Sequence, residues 1–333
     1  MMRPVSSSTS LLSAVVSCKT LLFIRPPLLR SRFPSSAASS LLPPASRSGN
    51  VISRRLSSRF VRNERCRASY KQIKGEDELN EEACELVNGA ELIIGEGDDA
   101  INAYLFKAVK NNNGTGILLL SDIFGFEDSF TRDFAYHVAC NGYNVLVPDL
   151  FRGDPWMRDQ PRNLFEQWLS SQDPARVAKD IDASAQWMAA ELVAAGISKK
   201  LGLIGFCFGG GRLVEALARD ESSRFGTGVS FYGTRMDPRA AANVKVPVLF
   251  VSGNNDPLCP VGVLTAFEKI IGRGSKVVIF EGRGHGFAHR PESPEEDADA
   301  DQAFLIMRNW LHDQLAVSEE TPQEEEEEVE DII

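Results

Sequence analysis

Cysteine and histidine are both scarce, six and four among 333 residues. No two cysteines stand in a CxxC spacing, so neither a zinc site nor a thioredoxin-like dithiol is written here. No metal and no cofactor are expected. Beyond residue 70 only Cys84, Cys140, Cys207 and Cys259 occur. They are too few for a disulfide scaffold in a body of that size, and a reducing compartment fits them. Long apolar runs are missing as well. Residues 21–24 (LLFI) are broken at once by Arg25, Pro26 and Pro27, whereas a membrane helix needs about 20 apolar residues. Neither a membrane span nor a secretory signal is expected.

Acid is nearly absent from the first 70 residues, where eleven Arg and one Lys face Glu64 alone in a Ser-rich background. Organellar transit peptides have this composition. Residues 1–68 are therefore expected to be a disordered leader directed to the chloroplast, with the mitochondrion as the alternative. An ordinary basic tail has the same composition. The rest of the chain is poor in base, with 24 basic against 45 acidic residues. Such a body repels nucleic acid and has no basic stripe to follow phosphates. Nine of its acids fall in the last 15 residues, between Glu319 and Asp331. A like-charge run without apolar periodicity predicts a disordered, solvated tail over 318–333.

Residues 69–317 have the character of one domain. Runs of strand type are expected at 101–108, 116–121, 143–148, 201–205, 228–232, 246–251 and 276–280. The run at 116–121 is a short continuous apolar one, as in a strand buried on both faces. Helical patterns lie between them, at 128–140 and near 299–314 among others. One long helix opens at Asp173-Pro174, an N-cap followed by proline at the first helical position. Its apolar stripe is Val177, Ile181, Ala185, Met188 and Leu192. Alternating strands and helices predict an α/β fold with a mostly parallel sheet covered on both faces. Residues 151–172 read as an irregular insert, its Trp156, Met157, Phe165 and Trp168 placed to roof a pocket.

The sharpest local signal is Gly205-Phe206-Cys207-Phe208-Gly209, set between an apolar strand and a helical pattern. Strand, tight turn and helix is the setting of a nucleophile elbow, here with Cys at the central position. In that setting Cys207 sits at a helix N-terminus, whose dipole favours negative charge on sulfur. The N–H of Phe208 points to where an oxyanion would form. Taken alone, the motif is equally a glycine-rich turn around a structural cysteine. Two further turns change that. "SGNNDPLCP" presents Asp256 after one strand, and "GHGFAHR" presents His285 after the next. Nucleophile, acid, histidine is the chain order of α/β-hydrolases.

These pieces, with "INAYLFKA", "LLLSDIFGF", "GYNVLVPDLFRG", "IGFCFGGG" and "SFYG", resemble the dienelactone hydrolase (carboxymethylenebutenolidase-like) family from about residue 90 to 316. The leader adds the expectation of a plant organellar member. The resemblance implies an α/β-hydrolase fold and hydrolysis of a small ester or lactone. Cys207 becomes the nucleophile, His285 the general base and acid, and Asp256 the orienting carboxylate. The N–H groups of Ile123 and Phe208 become the oxyanion hole. Arg152, Tyr232 and His289 become substrate-binding residues, with basic groups at the mouth holding a substrate carboxylate. Asp122 stands where bacterial members have a Glu that contacts the resting cysteine. Next to a thiol it is expected to disfavour the thiolate by like-charge repulsion. Gly286 replaces a family serine. The expected partner is a small molecule, and the expected state a monomer. The competing reading is an α/β-hydrolase shell that binds a small ligand without turnover.

Overall fold

In a computed structural model, residues 87–197 and 199–315 are described. The expected leader, the acidic tail, Cys84 and both domain boundaries lie outside them. Eight strands form one sheet. They are β1 (Val87–Ile94), β2 (Ile101–Ala108), β3 (Gly116–Leu120), β4 (Asn144–Pro148), β5 (Leu201–Phe206), β6 (Phe225–Phe231), β7 (Val248–Gly253) and β8 (Lys276–Phe280). The order across the sheet is β1-β2-β4-β3-β5-β6-β7-β8. The pairs β1–β2 and β2–β4 are antiparallel and the remaining neighbours are parallel. Every residue of β3, β4, β5 and β7 is buried, which is why these runs read as mostly apolar sequence without a polar face. This is the expected α/β-hydrolase architecture.

The helices are α1 (Ser129–Cys140), α2 (Phe165–Ser171), α3 (Pro174–Ala194), α4 (Phe208–Arg219), α5 (Pro238–Ala241), α6 (Val261–Ile271) and α7 (Pro294–Leu315). Asp173 caps α3 by accepting from the N–H groups of Ala175 and Arg176. The whole stripe Val177, Ile181, Ala185, Met188 and Leu192 is buried. Each of its larger side chains contributes about 1.5–3 kcal/mol relative to an exposed position. Three expectations need correction. Strand β1 was not predicted, the roof segment contains a 3-10 turn (Arg162–Leu164) and α2, and α7 begins at Pro294.

The chain leaves β3 on one side to build β4 and later returns to its other side to build β5. This reversal is a topological switch point, and ligands bind outside the carboxyl ends of the strands there. The ends of β3 and β5 deliver Ile123 and Cys207 to that crevice.

Candidate active site

Cys207 occupies the N-cap of α4 with φ 51 and ψ −111. A non-glycine residue in this region costs about 1–3 kcal/mol and persists only when its surroundings fix it. Three backbone bonds do so: Cys207 N–H to Phe231 O (3.0 Å), Thr234 N–H to Cys207 O (3.0 Å) and Gly211 N–H to Cys207 O (3.1 Å). The flanking glycines let strand and helix touch. A Cβ on Gly205 would lie 2.5 Å from Gly209 O, and one on Gly209 would lie 2.4 Å from Leu120 O. Gly209 N–H instead bonds Ser121 O at 3.1 Å, tying the start of α4 to the end of β3. Among the described residues, neither Phe208 N–H nor Ile123 N–H donates to a protein acceptor. Both amides are free to meet negative charge.

Asp256 follows β7 and His285 follows β8. Asn255 N–H bonds Arg283 O at 3.0 Å and clips the two turns together. Asp256 is buried; its Oδ1 accepts from Leu258 N–H (2.9 Å) and its Oδ2 lies 2.7 Å from His285 Nδ1. Burial alone would lower the His285 pKa, but hydrogen bonds with Asp256 and Cys207 outweigh it and lift it to about 10. His285 Nε2 has no nitrogen or oxygen partner among the described residues. Cys207, His285 and Asp256 are thus brought together. Cys259 is a different kind of cysteine. It is buried, and burial pushes its thiol up to about 12.

Behind these groups runs a buried polar chain. Tyr232 OH lies 2.5 Å from His289 Nδ1, and His289 Nε2 lies 3.2 Å from Asp122 Oδ2. Arg290 Nε donates to the same oxygen at 2.7 Å. Burial raises the Tyr232 pKa well above 10 and lowers that of His289. Tyr232 therefore donates to Nδ1, and the neutral ring presents its Nε2–H to Asp122. Burial by itself would raise the Asp122 pKa, but the bond from His289 and the ion pair with Arg290 hold it at about 2. Asp122 Oδ1 accepts from Phe124 N–H at 3.0 Å, and its backbone O accepts from Gly125 N–H at 3.2 Å. The carboxylate thus shapes the turn that carries Ile123.

The sequence model of the dienelactone hydrolase family matches residues 101–315. This chain belongs to the dienelactone hydrolase family. Among its relatives, the human carboxymethylenebutenolidase homolog is 30% identical over 220 residues, spanning 64% of this chain and 87% of that protein. Hydrolase tropI of Talaromyces stipitatus is 27% identical over 210 residues, spanning 60% of this chain and 82% of the other. The solved structure of a Klebsiella pneumoniae protein, provisionally assigned as a dienelactone hydrolase, superposes with a TM-score of 0.57. Its sequence identity is 22%, and the match covers 67% of this chain and 98% of that one. That last likeness is one of fold.

For this dienelactone hydrolase family member, several expected roles change. Tyr232 and His289 are buried inside the polar chain, so neither offers a surface to a substrate. Arg152 is spent on Asp180, at 2.6 and 3.0 Å, and on the carbonyl of Asp98. Asp180 is wholly buried and needs that counter-charge. The charge by which Asp122 is expected to disfavour a thiolate is offset by Arg290. Sequence reasoning left out Asp128, which joins this network and caps α1 through Phe130 N–H. An Asp just before a helical pattern is a cap signal that could have been read. A cavity of about 310 Å³ lined by Lys179, Asp182, Arg219, Arg224 and Phe225 opens at the start of β6, the other end of the sheet, and holds none of these residues. Among the described residues no cluster could hold a metal ion, and no helix is long and apolar enough to cross a membrane.

Proposed function

We propose that the protein hydrolyses a small ester or lactone through Cys207, His285 and Asp256. The observation that carries this reading is the Cys207 elbow at the head of α4, coupled to a His285–Asp256 bond of 2.7 Å. Sγ, with its proton already given to His285, attacks the carbonyl carbon. The carbonyl π electrons move to oxygen, where the N–H groups of Ile123 and Phe208 receive the charge. Collapse breaks the bond to the alkoxy oxygen, which takes the His285 proton, and a thioester to Cys207 remains. Water attacks the thioester, losing its proton to His285; the carboxylic acid leaves and the thiol is restored. From a lactone the alkoxy oxygen stays tethered, and the product is one hydroxy acid. Asp256 keeps the imidazole oriented and stabilises its charged form.

Asp122 acts through the turn that carries Ile123, as a positioning residue. The carboxymethylenebutenolidase homologs among the relatives accord with a lactone substrate. Turnover of an ester and lactone panel, compared with Cys207→Ala, tests the proposal. Binding without turnover would favour the ligand-binding shell instead.

We further propose that residues 1–68 direct the chain to the chloroplast and that 318–333 are dispensable for chemistry. Composition supports both. A fluorescent fusion of residues 1–70 that stays cytosolic in plant cells would overturn the first, and one that enters mitochondria would select the alternative.

A further inference from the structure

We infer that this site selects esters and lactones whose acyl part carries no charge, because the arginines that reach it are already held by protein carboxylates. The inference rests on the hydrolase reading above and names its substrate class.

Arg290 bonds Asp122, the residue just before Ile123. Its Nε is 2.7 Å from Asp122 and its Nη2 is 2.8 Å from Asp128. The guanidinium lies between the rings of Phe124 and Phe130, at 4.8 and 4.9 Å. Arg158 holds the other oxygen of Asp128 at 3.2 Å. Two carboxylates and two guanidinium groups thus cancel. Arg152 and Arg176 share the buried Asp180. Arg212, on the helix headed by Cys207, pairs with Glu215 at 3.0 Å, and Arg235 pairs with Glu166 of the roof at 2.9 Å. Arg162 is exposed on the roof's 3-10 turn. His289 is buried and neutral.

At every one of these arginines but Arg162, a substrate carboxylate would compete with a protein carboxylate. Asp122 and Asp180 are buried, and giving up an arginine there would leave a buried charge with fewer partners and no water to replace the one lost. The exchange replaces one ion pair by another and weakens the network left behind. An uncharged substrate demands no such exchange. Apolar side chains stand among the charged ones left at least partly exposed at this end of the sheet and on its roof: Ile123, Phe124, Met157, Leu164, Phe165 and Leu258. The acid-rich body also disfavours the approach of an anion.

The test is a matched pair of activated esters, p-nitrophenyl hemisuccinate and its methyl ester, which differ only in the remote carboxylate. The neutral ester is expected to have the higher kcat/KM by about tenfold or more. In Asp128→Asn the amide still caps α1, while one arm of Arg290 loses its charged partner. The discrimination should then shrink several-fold. Preference of the wild type for the hemisuccinate, or an unchanged ratio in Asp128→Asn, would overturn the inference. If the wild type turns over neither ester, the hydrolase reading fails. Binding of the pair to Cys207→Ala still decides the charge question: tighter binding of the neutral ester supports the inference, and tighter binding of the anion, or of neither, contradicts it.

Discussion

His285 must hold a proton when the leaving oxygen departs and give it up to be ready for water. Its pKa near 10 means that the free protein keeps the imidazolium through neutral pH. The alkaline limb of kcat/KM is therefore expected near pH 10. In Asp256→Asn one of the two groups that raise the pKa is gone and only Cys207 still opposes burial, so the limb should move to lower pH. A pH profile with an unmoved limb would show that Asp256 is not the partner that matters. Asp122 is the opposite case. Its pKa is depressed to about 2, so its stabilisation is fully present above its unfolded value near 4 and is lost as pH falls through 2. The depression corresponds to about 2 kcal/mol. Asp122→Asn should lose roughly that much in urea unfolding at pH 7 and almost nothing at pH 2. The meeting of Cys207, Asp256 and His285 was legible because each sits in its own short motif after a strand. Arg152, Tyr232 and His289 were not, because their partners come from distant segments: Asp180 from α3, and Asp122 from the end of β3. Local sequence marks a residue as polar and says nothing of whether its charge is already taken.

At the level of elements, the elbow depends on contact between β5, α4 and the end of β3. Gly209→Ala puts a methyl group 2.4 Å from the Leu120 carbonyl. Backbone has to move, and a loss of about 1–3 kcal/mol is expected. The shift also displaces Phe208 N–H, so thioester formation should slow even in protein that remains folded. Urea titration together with the burst phase of an activated ester reads both; a variant with wild-type stability and burst would contradict this account of the glycine. Tyr232→Phe tests the polar chain. It leaves His289 Nδ1 buried without a donor, at a cost of about 1–3 kcal/mol. If the chain positions the Ile123 turn through Asp122, kcat should fall while KM changes little. The central strands were readable because burial on both faces writes a mostly apolar run without a polar face. Strand β1 was hidden because it is an edge strand, largely exposed and without apolar alternation. The early start of α7 was announced by a signal that the apolar pattern does not carry. Ser293 Oγ accepts from Glu296 N–H at 3.2 Å, half of a capping box before an acidic first turn.

At the scale of the molecule, a sheet with one topological switch point explains why residues as far apart as Ile123 and Cys207 share a site. Protein restricted to residues 69–317 is expected to keep the full-length kcat/KM, and a large loss would mean that one of the ends takes part. The fold class was legible from alternation alone. The identity of the substrate was not, because it depends on charge pairing between elements rather than on any one of them. The most direct test of the central claim is hydrolysis of a small ester and lactone panel by protein lacking residues 1–68, with and without Cys207→Ala. The account predicts turnover in the parent, a fall of about a thousandfold or more in Cys207→Ala, and turnover kept in Cys259→Ala. Undiminished hydrolysis by Cys207→Ala would contradict it.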